Sequence, residues 1–191
     1  MKQHFIQDHH FQHEDFRSGP LPYSEMENCR FTNCQFTGAD LSGLAFEECR
    51  FEGCDLSNAK VRGTAFKSVH FKDCKLLGLA FDECHPFLLA FGFEACVLDF
   101  AVFYQLKLKG TQFVNCKLMD ADFTEADLSN AVFQHCDLSG AVFEQTVLEA
   151  ADFRSAENFN IDPQRNRLKK AVFSRTNLEG LLNNLNLKII G

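Results

Sequence analysis

The 191-residue chain carries 26 acidic against 19 basic side chains, a net −7, with 22 phenylalanines and no tryptophan. That length suits one domain with a substantial core. The opening M-K-Q-H-F-I-Q-D-H-H lacks the apolar stretch of a secretory leader, and no run of apolar residues is long enough for a membrane span, so a cytoplasmic protein is expected.

Taken in chain order, residues 1–25 hold Phe11, Phe16 and Leu21 at a spacing of five, but Gly19, Pro20 and Pro22 interrupt extended pairing. The expectation here is an irregular N-terminal cap. His4, His9, His10 and His13 lie in this segment without acidic or cysteine ligands at a defined spacing, so no metal site is assigned to them.

From residue 26 to 84 the spacing is regular, with Met26, Phe31, Phe36, Leu41, Phe46, Phe51, Leu56, Val61, Phe66, Phe71, Leu76 and Phe81. A period of five excludes both standard elements. On a helix, five steps of about 100° would spiral these residues around the cylinder; on a strand, an odd step sends neighbours to opposite sides. All can point inward only if the chain turns a corner in every pentad, which makes it a coil. The nine cysteines, Cys29, Cys34, Cys49, Cys54, Cys74, Cys84, Cys96, Cys116 and Cys136, stand in the small-residue slot two places before a central position. They read as buried filler, not as disulfides or metal ligands.

At 85–92 the phase slips. Pro86 stands where an apolar residue was due, and Phe93 follows Phe81 by twelve residues instead of ten. Two extra residues in H-P-F-L-L-A-F-G-F therefore form either a packed bulge sealing a joint or an exposed apolar contact made by Phe87, Leu88, Leu89 and Phe91.

The second register, 93–173, contains the most regular run: Phe113, Leu118, Phe123, Leu128, Phe133, Leu138, Phe143, Leu148 and Phe153. Two places before each stands Thr111, Cys116, Ala121, Ala126, Ala131, Cys136, Ala141, Thr146 or Ala151. The pentads A-D-L-S-G at 39–43 and A-D-L-S-N at 126–130 give the pattern its plainest form. It resembles the pentapeptide-repeat family, whose consensus is A-(D/N)-L-x-x. The resemblance implies an all-β fold, a right-handed quadrilateral parallel β-helix with four pentads per coil. Within this register, residues 156–167 lapse and read as one looped side of a coil.

The end, 174–191, changes period. Leu178, Leu181, Leu182 and Leu185 follow i, i+3, i+4, i+7, one face of a short helix expected over about 177–185. Thr176 and Glu179 form its capping box, and Gly180 inside it costs about 1 kcal/mol relative to alanine. Helix and tail either cover the last coil or also present Leu187, Ile189 and Ile190 to a second copy. This ending, with N-F-N-I-D-P upstream, resembles the quinolone-resistance (Qnr) proteins and the albicidin and microcin immunity proteins. The resemblance implies a homodimer through the C-terminal end, with Leu181, Leu182, Leu185, Leu187, Ile189 and Ile190 as its contacts.

Between residues 111 and 162 ten acids face only Lys117 and Arg154, a net of −8. Asp120, Asp122, Glu125, Asp127, Asp137, Glu144, Glu149 and Asp152 are the candidate partner-binding residues. Their linear density over a few coils compares with the one charge per about 1.7 Å of duplex DNA; the plainer account is a solvated face. With the resemblance, the charge points to a DNA-mimicking protein whose partner is DNA gyrase or topoisomerase IV, protected from a quinolone or toxin. A binding scaffold for an unrelated protein is the alternative. Arg30, Arg50 and His70 recur at a spacing of twenty, too short a basic stack for direct nucleic-acid binding. No phosphate-binding loop, nucleophile elbow or H-E-x-x-H occurs, so neither an enzyme nor a cofactor is expected.

Overall fold

The computed structural model describes residues 3–19, 21–87, 89–185 and 187–188. Eleven short strands occur among them: β1 (Gln3–Gln7), β2 (His10–Gln12), β3 (Tyr23–Glu27), β4 (Arg30–Thr32), β5 (Ala45–Glu47), β6 (Arg50–Glu52), β7 (Ala65–Lys67), β8 (Val69–Lys72), β9 (Phe91–Glu94), β10 (Gln112–Val114) and β11 (Val132–Gln134). They form two parallel sheets, β1-β3-β5-β7 and β2-β4-β6-β8-β9-β10-β11. Nearly every partner lies twenty residues away, as in Phe31↔Phe51 and Phe113↔Phe133. Single bridges at the same spacing, such as Lys117↔Asp137 and Asp122↔Val142, build the other two sides. The architecture is the expected right-handed, four-sided parallel β-helix.

Most corners place a residue in the left-handed region, where the chain changes direction between short extended segments. Among the described residues twenty non-glycines and seven glycines take a positive φ, including Asn33, Asn58, Asn130 and Gly140. Asn and Gly recur there because they tolerate that conformation best. The central residues then fill the interior. Phe11, Phe31, Phe51, Phe71, Phe93, Phe113, Phe133, Phe153 and Phe173 make one column, with neighbouring ring centroids 4.6 to 5.5 Å apart and nearly parallel planes. Across the core, Phe81, Phe103, Phe123 and Phe143 make a second column. The two columns meet edge to face, as in Phe113–Phe123 at 6.0 Å and 85°. Stacking along the axis and T-shaped contact across it satisfy the ring quadrupole in both directions.

The small slot does more than fill space. Cys74 Sγ donates to the Phe51 carbonyl, and Cys136 Sγ to that of Phe113, both 3.3 Å. Thr64 and Thr146 hydroxyls make the same bond, to Leu41 at 2.8 Å and Phe123 at 2.9 Å. Asn166 does it with an amide, donating to Phe143 O while its own oxygen accepts from the Thr146 N–H. A small donor in that slot thus satisfies a carbonyl 23 residues earlier, which explains why Cys and Thr share the slot with Ala. All nine cysteines are buried and free. Burial pushes the Cys49 thiol up to about 12 and raises that of Cys84, so these two are not reactive thiolates at neutral pH.

The N-terminal expectation needs correction. The described residues of this stretch, 3–19 and 21–25, are not an irregular cap: β1 and β2 pair with β3 and β4 in the twenty-residue register, and Phe16 stacks on Phe36 at 4.8 Å. Gly19 and Pro22 fall near a corner, where extended pairing is not required. At 85–92 the two extra residues are present, since Val69↔Phe91 and Phe71↔Phe93 are spaced by 22. The segment divides between its two readings. Phe91 turns inward against Phe66, Phe71, Phe81 and Phe93, and Leu89 packs on the core, while Phe87 stays 65% exposed. Leu88 lies outside the described residues.

The short C-terminal helix is present, with different bounds and start. It is a 3-10 helix over Arg175–Leu181, followed by a second over Asn183–Leu185. Its start is set by Ser174 and Asn177 in place of Thr176 and Glu179: Asn177 Oδ1 accepts from the Ser174 N–H at 3.0 Å. The Asn177 amide donates to the carbonyls of Phe153 and Ala156, and the Gly180 carbonyl accepts from Ile161 N–H at 2.9 Å. The Asn177 side chain and the Gly180 carbonyl thus tie the 3-10 segment to the last coil. The 156–167 side is packed against it, with Phe159 and Ile161 buried.

Candidate functional site

Every outward position on the coil belongs to one of four faces, and register decides which. The first face carries His10, Arg30, Arg50, His70, Gly92, Gln112, Val132 and Asp152 in one column. The second carries Lys75, Val97, Lys117, Asp137 and Glu157; the third Ala80, Val102, Asp122 and Val142; the fourth Lys107, Asp127, Val147 and Arg167.

The acids singled out from the sequence do not share one face. Asp152, Asp137, Asp122 and Asp127 stand on the first, second, third and fourth faces respectively, and Asp120, Glu125, Glu144 and Glu149 at or next to corners. Four of the eight are ion-paired: Asp127 with Lys109 at 3.1 Å, Glu144 with Arg165 at 3.0 Å, Glu149 with Arg167 at 2.7 Å, and Asp152 with Arg154 at 2.5 Å. Three of those bases lie just outside the 111–162 window. Widening it to 107–170 sets ten acids against eight bases, a net of −2 in place of −8. The duplex-like charge density does not survive in three dimensions, because counter-ions one coil away are neighbours in space.

The carboxylates differ in environment. The Asn158 amide and the Ser139 hydroxyl hold Asp137 below its ordinary value, and the Arg154 guanidinium does the same for Asp152. Burial pushes Asp127 up, but hydrogen bonds from Ser129 and Lys109 outweigh it and the group ends lowered. Asp82 goes the other way: partial burial raises it, and the nearby Glu83 and Asp122 carboxylates add to the rise.

Asp82 draws attention to the third face, which the linear charge count missed. Between residues 77 and 145 this face and its two bordering corners hold Asp82, Glu83, Asp99, Asp120, Asp122, Glu125 and Glu144, with no lysine or arginine. The same area exposes Phe100 (54%), Met119 (43%), Val142 (45%) and Tyr104 (38%). At its far end Glu144 reaches Arg165 on the neighbouring coil. Asp99 accepts from the Met119 N–H at 3.0 Å and Asp122 from the Thr124 N–H at 2.8 Å. Writing the sequence in rows of twenty, with the two-residue slip at 85–92 removed, would have shown this column. Among the described residues no three His, Cys, Asp or Glu side chains gather to hold a metal ion, and no helix is long and apolar enough to cross a membrane.

The residues expected to join two copies lie at the C-terminal end. Leu181 packs on the core and Leu182 is half-buried, while Leu185 and Leu187 are exposed; Ile189 and Ile190 lie outside the described residues.

The family model for the pentapeptide repeat region matches residues 24–113 and 106–182. The chain belongs to the pentapeptide-repeat family. Among solved structures it is similar to a trypsin-treated point variant of QnrB1, a plasmid-mediated fluoroquinolone resistance protein, at 22% identity over 98% of both chains with a TM-score of 0.49. A second trypsin-treated variant of QnrB1 gives 23% identity, 98% and 100% coverage and a TM-score of 0.49. HetL from the cyanobacterium Nostoc sp. strain PCC 7120, a pentapeptide-repeat protein involved in heterocyst differentiation regulation, gives 16% identity, 90% and 86% coverage and 0.38. None of these likenesses carries an argument about function. No curated protein matches the sequence.

Proposed function

We propose that this pentapeptide-repeat protein is a non-enzymatic binding protein that docks an acidic side of its rod on the basic DNA-binding surface of DNA gyrase or topoisomerase IV. By competing with DNA there, it relieves inhibition by a quinolone or a peptide toxin. The observation that carries the reading is the third face between residues 77 and 145, where seven carboxylates stand with no lysine or arginine on that stretch and only Glu144 reaches a base, Arg165 of the neighbouring coil. Complementary potential of this kind governs steering and register more than raw affinity. The resemblance of N-F-N-I-D-P and the leucine-rich ending to the resistance and immunity subgroup supplies the target. In the same proposal the chain acts in the cytoplasm as a homodimer joined at its C-terminal ends, through Leu181, Leu182, Leu185, Leu187, Ile189 and Ile190.

Gyrase supercoiling, followed with and without quinolone, tests the reading. The chain is expected to restore supercoiling in the presence of the drug, and Asp122→Lys with Glu125→Lys to abolish that effect. Supercoiling that does not respond to the chain, with or without the drug, would remove the topoisomerase from the account. The second reading, a scaffold for an unrelated partner, is favoured by the near-neutral balance over 107–170 and by the exposed Phe87. Under it, Phe87→Ser abolishes partner binding while the double charge reversal does not.

A further inference from the structure

Phe100 occupies a corner with φ +60°. One coil before and after, the equivalent corner residues are Gly78 and Asp120, and Asn58 and Gly140 stand two coils away. Those residue types suit a left-handed backbone; a phenylalanine there is an outlier, and its half-exposed ring gains little burial to offset the strain. Four residues on, at the opposite corner of the same face, Tyr104 is held in place. Gln105 Nε2 donates to Tyr104 Oη at 2.9 Å and to Glu125 Oε2 at 2.7 Å. Met119 stands on the next coil at the same corner, where its carbonyl accepts from Phe100 N–H at 2.8 Å and its N–H donates to Asp99. Two exposed aromatic rings and a thioether thus sit on the face that bears Asp82, Glu83, Asp122 and Glu125 and lacks any base between residues 77 and 145.

We infer that Phe100 and Tyr104 anchor an arginine-bearing segment of a protein partner on the third face. A guanidinium satisfies both features of the site at once. Its plane stacks on an aromatic ring, and its fork of donors meets a carboxylate in two parallel hydrogen bonds. A lysine ammonium answers only the charge, since it is a strongly hydrated point cation without a flat face. The inference rests on the proposal that this face is the contact surface, and it names the chemistry of the contact.

The test uses the full chain and two short fluorescent peptides of equal length and charge, one carrying arginines and one lysines, with binding followed by anisotropy. The arginine peptide is expected to bind about three- to fivefold more tightly than the lysine peptide. Phe100→Asn is expected to erase that preference while leaving the lysine peptide unaffected. Asparagine already occupies the left-handed corner at Asn58 and Asn130, so this variant keeps the fold. Equal affinity for the two peptides, binding of neither, or a preference that persists in Phe100→Asn would each overturn the inference. The gyrase assay fails or succeeds separately: an arginine preference lost in Phe100→Asn, with no effect on supercoiling, retains the anchor and removes only the target.

Discussion

Replacing Phe113 by alanine is expected to lower the free energy of unfolding by about 3–5 kcal/mol. The ring is fully buried, between Phe93 at 5.2 Å and Phe133 at 4.9 Å in its own column, and edge-on to Phe103 and Phe123 at 6.1 and 6.0 Å. These contacts along and across the core leave no route by which neighbours could close the gap, because each is pinned by the same backbone register. Phe113→Leu should cost far less, about 1–1.5 kcal/mol, since leucine fills equivalent central positions at Leu118, Leu128 and Leu138. Chemical denaturation of the two variants separates the cases. In a solenoid each coil touches only its neighbours, so the alanine variant is also expected to broaden the transition as the two halves of the rod uncouple. An alanine variant as stable as the parent would mean that the aromatic column does not hold the coils together.

The second large effect is expected at Gly180. A Cβ there would lie 2.5 Å from two carbons of the Phe159 ring and against the Phe159 carbonyl. The ring is wedged between Phe153 and Phe173, so it cannot yield without disturbing the last coil. Gly180→Ala should therefore cost about 1–3 kcal/mol, the usual range for an overpacked site. It should do so locally, by releasing the 3-10 segment and the Ile161 N–H bond to the Gly180 carbonyl. Hydrogen exchange reads this directly: the Ile161 amide should lose protection while Phe113 keeps it. If the C-terminal ends join two copies as proposed, sedimentation of the same variant should show more monomer. Protection at Ile161 equal to that of the parent would contradict the tight approach.

Much of this architecture was legible in the linear pattern, and the reason is physical. A solenoid places every fifth side chain in the same environment, so the apolar period, the small slot holding all nine cysteines and the two-residue slip before Phe93 appear as arithmetic. What failed was whatever depended on contacts between coils. The charge count over 111–162 excluded Lys109, Arg165 and Arg167, which lie close to Asp127, Glu144 and Glu149 only after the chain has made a full circuit. In the N-terminal coil Gly19 and Pro22 look like breakers in the sequence, although they fall where the coil turns. At the other end, Leu178, Leu181, Leu182 and Leu185 do follow a helical spacing. The segment is nonetheless a 3-10 helix tied to the last coil through Asn177 and Gly180, with Leu178 and Leu185 left exposed. The third face is not legible in the linear sequence because its acids and aromatics are spread from Asp82 to Glu144 and meet only in register.

The distance between spin labels at His10→Cys and Asp152→Cys tests the central claim most directly. The two positions stand on one face and are linked by seven register steps, through Arg30, Arg50, His70, Gly92, Gln112 and Val132. At about 4.8 Å per step they should lie about 34 Å apart, with a narrow distribution. The native cysteines are buried and should not take the label. A coil of three pentads instead of four would place the labels about 45 Å apart at the same rise per turn. That distance, or a broad distribution without a maximum near the shorter value, would contradict the four-sided coil on which the third face depends.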